Sequence, residues 1–372
     1  CYVFQHFLQS PILKKEGINS FDEWVSGFGN ISLALEVKPT GSGWRMRERS
    51  SEFKNLPELC NMLSQCFDLV KTKDINGISL PKIAGGKPEI VVCEQSEDQA
   101  VQVAEGMERA SKIERRAVTQ REDNMPAVCS FMSKVSLDPR INNPNAEDWD
   151  GLKVNECAKS IISIYKQHPD SAQVVFCDLS TPNNEGFNVY KALKDRLLKS
   201  GEFKPEEIAF VHDANNDKQR LKMFDKVNNA QIKVIIGSTS KLGTGVNMQK
   251  KLIAAHHLDA PYVPKDIEQR NGRIVRQGNE NSEVKIRCYS TKGTFDSYRW
   301  QLLEKKQQLI AQVLSGKPPA RNCKDIDETA LTFAEMKAAT ADNPLIAEKM
   351  QVDNEVDRLK LLESDWISQQ SR

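Results

Sequence analysis

The sequence predicts an α/β protein built on a parallel sheet. From about Asp150 to Ser290, short strand-like runs alternate with segments of helical spacing, the order that a right-handed parallel sheet covered on both faces requires. The strand runs are apolar at consecutive positions (VVF, VII), as buried parallel strands are, whereas half-exposed antiparallel strands alternate. The 372 residues, 39% hydrophobic, are enough for two or three domains with ample core.

The elements follow in order. Residues 1 to about 135 are irregular. Turn-rich KPTGSGWR (Lys38–Arg45) and ISLPKIAGGKPE (Ile78–Glu89) flank the mixed-charge run Arg45–Lys54. Helices are expected at Ser20–Phe28, Leu56–Val70 and Glu97–Lys112, and a strand at Glu89–Cys93. Val154, Cys157, Ala158, Ile161, Ile162 and Tyr165 then mark one face of a helix over Val154–Lys166. Strand Gln173–Cys177, helix Gly186–Lys199, strand Ile208–His212, helix Asp217–Val227 and strand Lys233–Gly237 come next. Ala254–Asp259 and Val284–Ser290 are further strands, with a short helix at Asp266–Arg276 between them. The tail reads as helical. Phe295 to Val313 form a long helix ending at Gly316, and a last helix opens at Asn343-Pro344.

Composition excludes several classes. No apolar stretch reaches the ~18 residues of a membrane span. With 52 Lys+Arg against 51 Asp+Glu, any nucleic-acid surface must be a local patch and not a bulk basic field. Nine cysteines without a C-x-x-C pair read as reduced thiols in a reducing, cytoplasmic setting and give no metal site. A first residue of Cys, without a signal peptide, reads as a fragment of a longer chain. His256-His257 are expected to pack and hydrogen-bond. The charge run Arg109–Arg121 reads as a solvated helix face, and the five tryptophans as packing anchors, with Trp44 a possible exception facing DNA.

Two segments fall where ligands gather in such sheets, at the carboxyl ends of strands. In GSTSKLGTGVN (Gly237–Asn247), Gly243 and Gly245 permit a tight turn, and Ser238, Thr239, Ser240 and Lys241 offer donors to phosphate oxygens. A plain strand-to-helix turn is the other reading. In DIEQRNGRIVRQG (Asp266–Gly278), a helix capped by Asp266 would place Gln269, Gly272, Arg273 and Arg276 on one face. Gly272 would keep that face low for a polyphosphate, and Gly278 would end the helix. Equally, Gln269 could complete a capping box with Asp266, and the arginines could pair with Glu268 or Glu280.

Together, GSTSKLGTGVN, LDAPYVP and QRNGRIVRQG resemble motifs V and VI of superfamily 2 helicases of the Swi/Snf type. VVFCDLST (Val174–Thr181) sits where motif IV belongs, FDLVKTKDI resembles the basic inter-lobe segment, and TFDSYRWQLLEKKQQLIAQVL resembles the brace helix. The whole chain is similar to the helicase half of very large bacterial, phage and conjugative-element proteins that join an adenine-specific DNA methyltransferase to such a helicase. FDEWVSGFGN, FKNLPEL and AEMKAATADNPLIAEKM share that look.

The resemblance implies a RecA-like helicase C-terminal lobe at 136–293. A mostly helical remnant of lobe one and the inter-lobe linker would occupy 1–135, and a helical brace and extension 294–372. It implies the second lobe of an ATP-dependent DNA helicase or translocase, with a non-catalytic DNA-binding or scaffolding module of the same fold as the alternative. Arg273 and Arg276 would be arginine fingers for ATP with Mg²⁺ bound mainly by a missing first lobe, and Gln269 would couple that site to DNA. Gly243, Thr244, Gly245 and Asn247 would form the motif V switch, with Gly272 beside the nucleotide. Ser180, Ser238, Thr239 and Lys241 would contact the DNA backbone without sequence preference. Partners would be DNA, the missing lobe and a methyltransferase domain of the same parent chain, with no membrane. The sequence holds neither G-x-x-x-x-G-K-[ST] nor an acidic Mg²⁺ motif after a strand, so this chain alone is expected to be inactive.

Overall fold

The computed structural model describes residues 1–37, 44–67, 77, 79–182, 186–242, 247–314 and 352. The expected switch residues Gly243, Thr244 and Gly245, the segment 68–76 and the Asn343 helix lie outside them.

Three short helices open the chain: α1 (Tyr2–Leu8), α2 (Ser10–Lys15) and α3 (Phe21–Phe28). Ser20 caps α3 reciprocally with Glu23, which fixes its start where the sequence placed it. An antiparallel hairpin that the sequence did not predict follows, β1 (Gly29–Val37) and β2 (Trp44–Phe53). Its second strand, WRMRERSSEF, is polar at most positions and so lacks the alternation that announces a strand. Helix α4 (Leu56–Ser64) closes this unit around Trp24, Phe28, Leu56 and Leu59.

Strands β3 (Lys82–Ile83) and β4 (Glu89–Cys93) precede α5 (Glu97–Glu114), which is capped reciprocally by Ser96 and Gln99. Helix α6 (Met125–Leu137) lies in a stretch where no element was expected. It packs against α5 so closely that a Cβ on Gly106 would sit 2.2 Å from the Met132 sulfur.

Then come α7 (Lys153–Gln167), β5 (Ala172–Phe176), α8 (Val189–Lys199), β6 (Ile208–Phe210), α9 (Asp217–Asn228) and β7 (Val234–Gly237). The one-turn α10 (Thr239–Leu242), β8 (Leu252–His257), α11 (Pro264–Asn271), β9 (Glu283–Thr291) and α12 (Phe295–Leu314) complete the described chain.

Seven strands form one sheet in the order β3-β9-β8-β5-β7-β6, with β4 also beside β9, and every pairing is parallel. Strands β3 and β4, from the segment expected to precede the lobe, join the sheet through β9. Successive residues feed opposite layers, as the pleat demands. Val174, Phe176 and Ile235 face α9, α11 and α12, whereas Val175, Val234 and Ile236 face α7 and α8. Among the described residues no helix is long and apolar enough to cross a membrane. Eight cysteines are free thiols, and burial raises Cys93 and Cys288 to about 12.

His256 and His257 are wholly buried in β8. Gln173 uses its amide N–H on the Ile161 carbonyl, so its Oε1 accepts from His256 Nε2 at 3.0 Å, and His256 Nδ1 accepts from the Tyr289 hydroxyl at 2.9 Å. His257 Nε2 meets Asn271 Oδ1 at 2.9 Å. Burial, reinforced by Arg287 for His256 and by Arg270 for His257, lowers both to about 3. Unfolded histidines protonate near pH ~6.5, so below that value the unfolded chain binds more protons. Stability is therefore complete above pH ~6.5 and falls as pH drops towards about 3. Each histidine should contribute a slope of up to ~1.4 kcal/mol per pH unit. Urea melts between neutrality and mild acid should show this slope, reduced in a His256→Gln variant. Stability flat across that window would contradict the assignment.

Candidate functional site

At the carboxyl ends of β5, β6 and β7 the surface opens into a cleft of about 480 Å³. Asp178 and Thr181 follow β5, His212 follows β6, and Ser238, Thr239 and Ser240 follow β7, with Asp266 and Gln269 of α11 on the remaining wall. Gly237 makes this arrangement possible. A Cβ there would meet Val211 at 2.5 Å and Leu242 at 2.6 Å, so only glycine lets the chain turn from β7 into α10 against the end of β6.

A residue that sequence reasoning missed organises the floor. Arg270 is fully buried, and its guanidinium donates to Thr239 Oγ1 at 2.7 Å, Asp178 Oδ2 at 2.7 Å, Asp259 Oδ1 at 2.9 Å and the Asp259 carbonyl at 2.8 Å. Its plane also lies over the Phe176 ring at 5.5 Å. Asp259 Oδ2 in turn accepts from the backbone N–H groups of Asp178 and Leu179, and Asp178 accepts from the Thr239 N–H and hydroxyl. Burial pushes the Asp178 carboxyl up, but the Arg270 charge and the Thr239 hydrogen bonds outweigh it and hold it below its ordinary value. The signal was present in the sequence. Arg270 lies three residues from Ile267 and four from Ile274, on the inward face, and an Asp follows each of two buried strands.

The expected site residues are only partly brought together. Ser238, Thr239 and Gln269 line the cleft. Lys241 is exposed beside it on α10, and Ser240 Oγ lies 3.0 Å from Ser238 Oγ. Thr239 is almost buried, with its hydroxyl already engaged by Arg270 and Asp178. Ser180 adopts a left-handed φ of 54°, and its Oγ accepts from the Val189 N–H that opens α8. Asn247 is exposed, and its carbonyl accepts from the Asn228 amide.

The helix expected at Asp266–Arg276 is displaced. Pro264 occupies the first turn after Val263, so Asp266 lies inside the helix and is not its cap, and α11 ends at Gly272. The Ile274 N–H bonds the Asn271 carbonyl in a turn, and the Ile274 side chain is wholly buried. Arg273 and Arg276 therefore stand on a turn beyond the helix, outside the cleft lining, and do not share a helical face with Gln269. Gly278, at φ 87°, ends this turn and not the helix. Burial and the nearby Arg276 charge lower the half-buried Arg273 below its ordinary value, so the two guanidiniums lie close enough to repel. Glu280, one partner considered for them, pairs with Lys250 and Lys251.

To an anion the cleft offers the Ser238 and Ser240 hydroxyls, the His212 imidazole and the nearby Lys241 ammonium, against the carboxylates of Asp178 and Asp266. The carboxylates of Asp178 and Asp259 share the single Arg270 guanidinium.

One relative is the "Defense against restriction protein B" of Escherichia phage P1, 38% identical over 80 residues, a match spanning 22% of this chain and 4% of that protein. Among solved structures, that of the C-terminal part of the Fun30 ATPase domain matches over 71% of this chain and 98% of its own, at 15% identity and a TM-score of 0.47. Residues 154–278 match the family described as "Helicase conserved C-terminal domain". This segment, a third of the chain, spans α7 to the turn at Gly278; it is similar to that family and carries the parallel α/β fold described above.

Proposed function

We propose that this chain is the second lobe of an ATP-dependent DNA helicase or translocase. The observation that supports the reading is the helicase C-terminal match over 154–278, a segment that includes the cleft residues and the Arg273–Arg276 turn. In this reading Ser180, Ser238, Thr239 and Lys241 approach DNA phosphates, Thr239 through its backbone because its hydroxyl is occupied. Arg273 and Arg276 reach towards the phosphates of ATP held with Mg²⁺ on a first lobe outside these 372 residues. That lobe supplies the metal and the glycine-rich lysine loop, and the chain's own residues supply positive charge where negative charge develops. Residues 294–372 act as brace and extension, and 1–135 lead in from the first lobe. The phage relative, named for defence against restriction, supports a parent protein of phage or mobile-element type. The resemblance to methyltransferase–helicase proteins supports a methylating partner domain.

DNA binding tests the reading. With only a few donors around one cleft, the chain should bind DNA weakly, without sequence preference, and with a shallow dependence of log K on log salt. Fluorescence anisotropy with two unrelated oligonucleotides across a salt series measures this. Strong preference for one sequence, or affinity indifferent to salt, would contradict it.

A further inference from the structure

We propose that His212 is a phosphate-contacting residue of this cleft, and that a DNA phosphodiester seated between His212 and the Ser238–Lys241 segment binds together with one proton. The inference rests on reading the cleft as a DNA-backbone site.

The position of His212 is built, not incidental. It sits in the single turn Val211–Asp213 that ends β6, and Val211 anchors that turn in the core. The ring is held edge-on against Tyr190, 5.4 Å between centroids at 82°. Tyr190 is itself fixed by donating its hydroxyl to the Cys177 carbonyl at 2.6 Å. His212 Nδ1 is covered, yet finds no hydrogen-bond partner among the described residues. A buried nitrogen without a partner is costly, so this imidazole is not explained by the packing around it. The ring lines the cleft.

The surroundings select the ligand. Ser238, Ser240 and Lys241 stand on the neighbouring wall, a set of hydroxyls and a cation that suits phosphate oxygens. The other charges are Asp213 on the same turn and Asp178 and Asp266 across the cleft, of which Asp178 pairs with Arg270. Burial first and Lys241 second keep the empty-cleft imidazole below its ordinary value, while Asp213 opposes them. At neutral pH the ring is thus neutral before DNA arrives. A phosphodiester between His212 and Lys241 offsets their repulsion and favours the imidazolium. The proton comes from solvent and stays on the imidazole ring, which as imidazolium donates to a phosphate oxygen.

The test uses the chain itself and a labelled oligothymidylate, at constant ionic strength from about pH 8 to about pH 6. Circular dichroism at each pH verifies that the chain remains folded. The association constant should rise as pH falls, approaching tenfold per pH unit at the steepest point, as uptake of one proton requires. His212→Gln should lose most of that rise. Proton uptake elsewhere in the chain is common to both proteins and cancels in their difference. Histidine NMR titration of the unmutated chain is the second measurement, in which the His212 resonance should titrate at higher pH with DNA than without. A methylphosphonate oligomer, lacking backbone charge, should show no His212-dependent rise. Equal pH slopes for the unmutated chain and His212→Gln, or an unmoved His212 titration in bound DNA, would overturn the proposal. Failure to bind DNA at any pH and low salt would instead overturn the DNA reading of the cleft, and the proposal with it.

Discussion

Replacing Arg273 by alanine, in a protein that joins a first helicase lobe to this chain, should lower DNA-stimulated ATP turnover by ~10³-fold or more. The melting temperature should barely move. Arg273 is half-buried on the turn after α11, where burial and the Arg276 charge both work against its ionised form. A γ-phosphate gaining charge in the transition state is an anion that two neighbouring guanidiniums would stabilise. Arg273→Lys should rescue little, because an ammonium cannot reproduce the planar fork. Arg273→Ala and Arg276→Ala combined should cost less than the product of the single losses if the pair acts as a unit. The chain alone should release no phosphate from ATP, since it carries no glycine-rich lysine loop. Turnover near the unmutated level in Arg273→Ala would remove the arginine-finger role.

How much of this was legible in the sequence depended on whether a local pattern or a distant partner decides the outcome. The strands β5, β7, β8 and β9 announced themselves, because strands buried on both faces are apolar at nearly every position. Helices α3 and α5 began where Ser20 and Ser96 placed them, since a capping box is a local device. The hairpin β1–β2 was hidden by its polar second strand. Of the site, the hydroxyl-rich segment after β7 and Gln269 were readable, because strand ends gather ligands whatever the remaining sequence. The exit of α11 was misread. Pro264 could start the helix earlier than Asp266, and burial of Ile274 turns the chain before the arginines. Arg270 was invisible as a hub because its partners, Asp178 and Asp259, are 92 and 11 residues away and meet it only once the sheet has formed. Thr239, read as a phosphate ligand, spends its hydroxyl on that hub for the same reason.

Removal of that hub should be the most destabilising single change in the domain. Arg270→Met keeps the length and the apolar stem but deletes a charge that answers two carboxylates, a hydroxyl and a carbonyl. Asp259, only 5% exposed, would retain its two backbone N–H partners and lose its countercharge. Breaking a buried pair from one side typically costs ~3–5 kcal/mol, because the remaining charge is stranded. Arg270→Lys should lie between, since one ammonium cannot fill four acceptor positions set by a planar fork. Urea titration followed by circular dichroism would show a lowered midpoint at unchanged slope for both variants, more for Met than for Lys. A loss below ~1 kcal/mol in Arg270→Met would mean that the strand ends hold themselves in place and the guanidinium adds little. The contrast with Arg273 then becomes the sharper result. Three positions apart on one segment, Arg270 should move stability and Arg273 turnover. Any activity lost in Arg270→Lys at a temperature where it is fully folded would report displacement of Gln269 and Thr239, the two cleft residues adjoining the hub.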